Sequence, residues 1–156
     1  MITSLITNEI TNLVSAQLRH FFPDGNPLDD ILIKKAVKGS LERLEFCFEN
    51  INSNYYRLEG KTYFNHLHTD HWCSFLWFLS NQLHNLCNDH RDAAKIFALN
   101  KALHGIDAFY SIQLPDVFLL VHPIGTILGK AQYDNYLVVY QNVTVGGSIE
   151  LDYPVI

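Results

Sequence analysis

The stretches VHPIGT (121–126), ILGKAQ (127–132), YDNYLV (133–138), VYQNVT (139–144), VGGSIE (145–150) and LDYPVI (151–156) divide the last part of the chain into consecutive hexads without a gap. Position one is Val121, Ile127, Tyr133, Val139, Val145 and Leu151, large and apolar in every case. Position five is Gly125, Ala131, Leu137, Val143, Ile149 and Val155, small or aliphatic. A helix repeats every 3.6 residues and a strand every 2, so a period of six with two inward positions belongs to neither alone. Short parallel strands on a triangular prism account for it, with three hexads to a turn, so that 121–156 supply about two coils. A strictly alternating sheet is the competing reading, and it leaves the size restriction at position five without a reason.

Upstream of about residue 105 the spacing is helical. Ile10, Leu13, Val14 and Leu18 share one face, as do Val37, Leu41, Leu44 and Phe48. Phe22-Pro23-Asp24-Gly25-Asn26-Pro27 breaks the first helix from the second, whose positive end Asp29 and Asp30 complement. The spacing predicts a third helix over about 63–86, with Phe64, Leu67, His71, Phe75, Leu79, Leu83 and Leu86 on one side. A fourth, capped by Asn88, carries Ile96, Leu99 and Leu103 and ends near His104-Gly105. The expected fold class is therefore α+β: an all-α unit over 1–105, then a parallel β-helix over 106–156.

Composition limits the partners. The chain has 156 residues, is 48% hydrophobic and 17% charged, and so can bury a core, which a disordered chain cannot. The net charge is −5 and Lys and Arg form no stripe, which argues against nucleic acid. No apolar run approaches the ~20 residues of a membrane span, and residues 1–10 lack a basic, cleavable leader; the expected setting is cytoplasmic. Cys47, Cys73 and Cys87 lie in helical patterns without CxxC spacing and read as buried free thiols.

Three segments carry a family likeness: Leu103-His104-Gly105-Ile106-Asp107, the run from His122 to Ala131, and Gln141-Asn142-Val143-Thr144-Val145-Gly146-Gly147. Over about 103–147 the chain resembles serine acetyltransferases and the bacterial proteins similar to them. His122, Gly125 and Gly129 fall on the family's active-site pattern Asp-His-x-x-Gly followed by three hydrophobic residues and Gly. Asp107 stands fifteen residues ahead of His122, the family spacing for an aspartate, and Val-Thr-Val-Gly-Gly matches the family's Val-Thr-Leu-Gly-Gly. The resemblance implies that the β-helix is left-handed and that the chain forms a homo-oligomer, a trimer or a hexamer. It also implies further coils beyond residue 156, so that this β-helix is incomplete relative to the family.

What it implies chemically is acetyl transfer from acetyl-CoA to a hydroxyl acceptor such as serine, with no metal. His122 would remove the hydroxyl proton, a task suited to an imidazole whose ordinary pKa lies near 6.5. Asp107 would hold the other ring nitrogen and stabilise the imidazolium, with Asp116 in reserve. Backbone N–H groups near Gly146 and Gly147 would meet the cosubstrate and its developing oxyanion. The acceptor would lie toward Tyr153.

Two departures widen the choice of acceptor and role. Val121 replaces the aspartate that precedes the family's histidine, and Asp152-Tyr153-Pro154 replaces Arg-His-Pro, removing the cation for a substrate carboxylate. A sugar hydroxyl therefore competes with serine. From residue 105 onward Lys130 is the sole Lys or Arg, a poor cradle for the phosphates of coenzyme A, and this favours a second alternative, a non-catalytic oligomerisation module. His66-Leu67-His68-Thr69-Asp70-His71 reproduces the HxHxDH string of two-metal hydrolases but opens an apolar helix, a context that argues against that motif and leaves at most a weak metal trap at His68 and Asp70. The aromatic run from Trp72 through Phe78 reads as helix-packing or oligomer surface.

Overall fold

The structure is a computed structural model that describes residues 1–146. Its described α-helices and strands are β1 (Ile2–Thr3), α1 (Thr7–Phe21), α2 (Asp30–Glu49), β2 (Arg57–Leu58), β3 (Lys61–Phe64), α3 (Thr69–Leu86), α4 (Arg91–His104), β4 (Asp107–Ala108), β5 (Phe118–Leu120), β6 (Ile127–Leu128), β7 (Leu137–Val139) and β8 (Thr144–Val145), with a 3-10 turn at Asn54–Tyr56. The α+β class is as expected: helices first, then short parallel strands.

The central element is α3. Residues from Asp70 to Asn81 are buried without interruption, as for a helix surrounded by protein rather than lying on a surface. It packs between α2 and α4. The aromatic run is interior: Trp72, Phe75, Trp77 and Phe78 are all buried. Arg43 of α2 lies over the Phe78 ring, 4.8 Å from its centroid, and donates from Nη1 to Asn81 Oδ1 at 2.9 Å. One hydrophobic cluster continues from these helices into the strands through Phe118, Leu120 and Leu128. Cys47 fastens the junction, its Sγ donating to the Phe118 carbonyl at 3.2 Å. Cys47 and Cys73 are buried free thiols, whereas Cys87, at the end of α3, is only half-buried.

Helix ends follow local chemistry. Asp29 caps α2, accepting from the backbone N–H groups of Ile31 and Leu32. Gly105 closes α4 at φ +65°, the left-handed conformation glycine adopts without a side-chain penalty. Asn88 is not the cap of α4: His90 holds that place, and Asp89 accepts from the N–H of Arg91 at 3.0 Å.

The first hundred residues are not all-α. Leu58 and Lys61 face each other across a two-residue turn in which Glu59 and Gly60 both have positive φ, folding β2 back antiparallel on β3. β1 then adds to β3 in parallel. Phe64 thus belongs to a strand, Leu67 is 78% exposed, and α3 starts at Thr69 rather than near 63. Helical spacing continued backwards through Phe64 misled because a strand that ends on an inward phenylalanine feeds the same core.

After α4 the strands stack in parallel. β4, β6 and β8 form one ladder and β5 and β7 another. Partners are offset by 20 residues from Asp107 to Ile127, by 17 from Ile127 to Thr144 and by 19 from Phe118 to Leu137. These offsets lie close to the eighteen residues of three hexads. Two details correct the expected register. Inward pairs begin before residue 121, with Ile106 and Ala108, Ile112 and Leu114, then Phe118 and Leu120. The repeat also slips at 121–128: Ile127 is 44% exposed, while Thr126 and Leu128 are buried. The step from Phe118 to Thr126 is eight residues, the next inward pair, half-buried Ala131 and Tyr133, comes five later, and the extra length is a corner. Thr126 holds the altered register by donating from Oγ1 to the Tyr140 carbonyl at 2.9 Å. Tyr133, Val139 and Val145 keep position one on the inner side; Ile149, Leu151 and Val155 lie outside the described residues.

Candidate active site

His122 occupies that corner, two residues beyond the end of β5. Its backbone is left-handed at φ +47°, which costs a residue with a β-carbon and is held only where surroundings impose it. Here its carbonyl accepts from the N–H of Ile124 at 2.7 Å, and its own N–H donates to Asp70 Oδ1 at 3.2 Å. The imidazole projects outward, 75% exposed, with Nδ1 3.9 Å from the same Asp70 oxygen. A ring held at its base and open at its tip can exchange a proton with a bound molecule.

The corner has a built-up floor. Gly105, Gly125 and Asn142 all have positive φ and stack across successive coils. The Gly125 N–H donates to the Gly105 carbonyl, and the Asn142 N–H to the Ile124 carbonyl, each at 3.0 Å. A β-carbon on Gly125 would run into Asn142 Oδ1. Gly125 is thus favoured by its positive φ, while the exposed Asn142 side chain fills the space beside it.

Asp70 comes from the first turn of α3, and its side chain is 6% exposed. The ionisable groups acting on it from the packed elements are Tyr56, Cys73 and His104. Burial raises the Tyr56 and Cys73 pKa values, and burial lowers that of His104, so all three favour their neutral forms. His104 bonds through Nδ1 to Asn100 Oδ1 at 2.7 Å.

The other expected site residues are distributed differently. Asp107 begins β4, and its Oδ2 pairs with Lys101 Nζ at 2.5 Å; its backbone N–H donates to the Thr126 carbonyl. Among the described residues it has no bond to His122. Asp116 is exposed and lines a separate recess of about 490 Å³ with Glu42, Arg43, Phe46, Phe78 and Gln82. Gly146 follows β8, half-buried, with Thr144 Cγ2 3.8 Å from where its β-carbon would sit. Gly147 and Tyr153 lie outside the described residues.

Within the HxHxDH string the side chains diverge. His66 Nδ1 meets Ser4 Oγ at 2.8 Å, and His71 Nδ1 accepts from the Asn65 N–H at 3.2 Å. The His68 and His71 rings stack with centroids 4.1 Å apart. Among the described residues no three His, Cys, Asp or Glu side chains converge as metal ligands would. Asp70, set aside with this string, is the member that reaches His122. The available signal was a carboxylate on a helix face otherwise made of inward residues.

No protein-family model matches the chain, and no curated protein sequence does. Solved structures do. Serine acetyltransferase from Vibrio cholerae superposes with a TM-score of 0.60 at 12% identity, over 89% of this chain and 55% of that one. Serine acetyltransferase 1 from Entamoeba histolytica gives 0.51 at 13% identity, over 90% and 53%. Isoform 3 from the same organism, in complex with cysteine, gives 0.51 at 12% identity, over 92% and 52%. The chain shares the fold of these enzymes and spans about half the length of each.

Proposed function

We propose that the chain is an acyltransferase of the serine acetyltransferase type, moving the acetyl group of acetyl-CoA to a hydroxyl acceptor with His122 as general base. The observation that carries the reading is an outward imidazole at a strained, reinforced corner of a parallel strand stack whose fold is that of serine acetyltransferases. In the reaction the acceptor oxygen attacks the thioester carbonyl as His122 takes its proton. Collapse of the tetrahedral intermediate forms the ester and breaks the C–S bond, and the proton passes to the departing thiolate. Charge on the carbonyl oxygen needs N–H donors, a role we assign to the backbone at Gly146 and Gly147.

The left-handed coil, the cytoplasmic setting and assembly into a homo-oligomer belong to the same reading. For the acceptor, Val121 provides no charge beside His122, which favours a hydroxyl compound without an ammonium group, such as a sugar, over serine. A non-catalytic module is the second reading. Favouring it are the apolar side chains exposed on the strand stack, Ile127, Val138 and Tyr140 among them.

Release of free thiol from acetyl-CoA, followed in the presence of L-serine, other hydroxy amino acids and sugars, tests the proposal. The expected result is acceptor-dependent release that His122→Ala abolishes while leaving mass in solution unchanged. Absence of release with every acceptor, together with absence of coenzyme A binding by calorimetry, would overturn it in favour of the module.

A further inference from the structure

We infer that Asp70, and not Asp107, is the carboxylate that positions the His122 imidazole; this rests on the proposed role of His122 as base. Asp107 has the family spacing but is committed elsewhere, its Oδ2 lying 2.5 Å from the Lys101 ammonium. Asp70 is buried, and among the described residues the one hydrogen bond its side chain accepts comes from the His122 backbone N–H. The same oxygen lies 3.9 Å from Nδ1.

A buried carboxylate is costly without a compensating positive group. Asp70 stands in the first turn of α3, at the positive end of that helix. The nearest ring able to take on positive charge is His122, whose protonation during turnover would place a cation beside this carboxylate. Binding the backbone N–H with the oxygen that faces Nδ1 does two things at once. It holds the left-handed corner, and it selects the tautomer with hydrogen on Nδ1, leaving the Nε2 lone pair free for the acceptor. Asp70 touches neither acceptor nor thioester and is a positioning residue. At 3.9 Å the two atoms are not hydrogen-bonded, and the positioning role requires a turn of the exposed ring in the free chain that brings Nδ1 to hydrogen-bond length.

The test has a spectroscopic arm and a kinetic arm. In ¹⁵N spectra of the whole chain at neutral pH, the His122 ring signals, assigned by their loss in His122→Gln, should report the Nδ1–H tautomer. Asp70→Asn should abolish that preference, and Asp107→Asn should leave it intact. In the thiol-release assay Asp70→Asn should lower kcat by about 100-fold or more, with KM changed less than about threefold, as for loss of a base-orienting carboxylate. The wild-type tautomer is readable even if Asp70→Asn fails to fold, and an Nε2–H ring in the wild type overturns the inference. So does a tautomer that responds to Asp107→Asn but not to Asp70→Asn. An Nδ1–H ring sensitive to Asp70 in a chain without turnover would uphold the positioning geometry and reject the enzymatic reading instead.

Discussion

Trp77 of α3 and Phe118 of β5 meet edge to face, ring centroids 5.3 Å apart and planes at 88°. Phe78 also contacts Phe118, with centroids 5.2 Å apart and planes tilted by 33°. Edge-to-face contact, as between Trp77 and Phe118, is a favoured geometry for aromatic pairs, and these contacts fasten β5, the first strand of the β5–β7 ladder, to the central helix. The corner that carries His122 follows two residues later, so its place depends on this contact.

Phe118→Ala should therefore cost about 3–5 kcal/mol, the range for deleting a buried phenylalanine. Urea denaturation followed by helical circular dichroism and by tryptophan fluorescence should show one shared transition moved to lower urea. Separate transitions would mean that helices and strands do not share a core.

Gly125 and Gly105 both have positive φ but different surroundings. Around Gly105 an added β-carbon meets Ile124 Cγ2 at 3.6 Å, an ordinary contact. At Gly125 it collides with the Asn142 amide. Gly105→Ala should cost about 1 kcal/mol, the conformational penalty alone. Gly125→Ala should cost about the same, with the exposed Asn142 side chain turning aside to another rotamer. Paired thermal melts compare the two, and a clearly larger loss at Gly125 would show that the Asn142 side chain is fixed in place.

His71 is fully buried, and burial, followed by the charge of nearby His68, pushes its pKa down to about 3 from 6.5. A value lower in the folded than in the unfolded chain means that the unfolded chain binds the proton first as pH falls. Stability is then complete above about pH 6.5 and declines between 6.5 and 3, by about 2 kcal/mol at pH 5 from this group. His104 shifts in the same direction. Urea midpoints measured from pH 7 to pH 4.5 should fall, and His71→Phe should flatten that slope. An unchanged slope would refute the assignment.

Asp29 accepts two backbone N–H groups at the start of α2, at 3.0 and 2.7 Å. Asp29→Ala should lower stability by about 1 kcal/mol. Asp29→Asn or Asp29→Ser should recover most of the loss in the same denaturation assay, since the cap needs an oxygen more than a charge.

The order of helices before parallel repeats was legible because period is a local property. Val139, Val145 and Tyr133 repeat every six residues whatever they pack against. Gly105 as a helix end and Asp29 as a helix start were legible for the same reason. The strand at Lys61–Phe64 was not, because Phe64 points inward in strand or helix alike, and what selects the strand is pairing, with Arg57–Leu58 across the Glu59-Gly60 turn and with Ile2–Thr3 some sixty residues earlier. The slip at Ile127 escaped because ILGKAQ satisfies the hexad as written. The burial of Thr126 and Leu128 instead depends on where the corner at His122 releases the chain.

The sequence by itself determined that His122 would stand at a repeat boundary with glycine three residues on. Backbone conformation is set largely by nearby residues, and such spacings survive in the one-dimensional order. Only the tertiary structure decided which carboxylate His122 meets. Asp107 is nearer along the chain, yet Lys101, six residues before it, takes its side chain. Asp70, fifty-two residues from His122, arrives because α3 is driven into the core by its aromatic face and carries its first turn to the base of the corner. A contact made by packing a helix against a strand stack depends on how two surfaces fit, and no spacing along the chain encodes that.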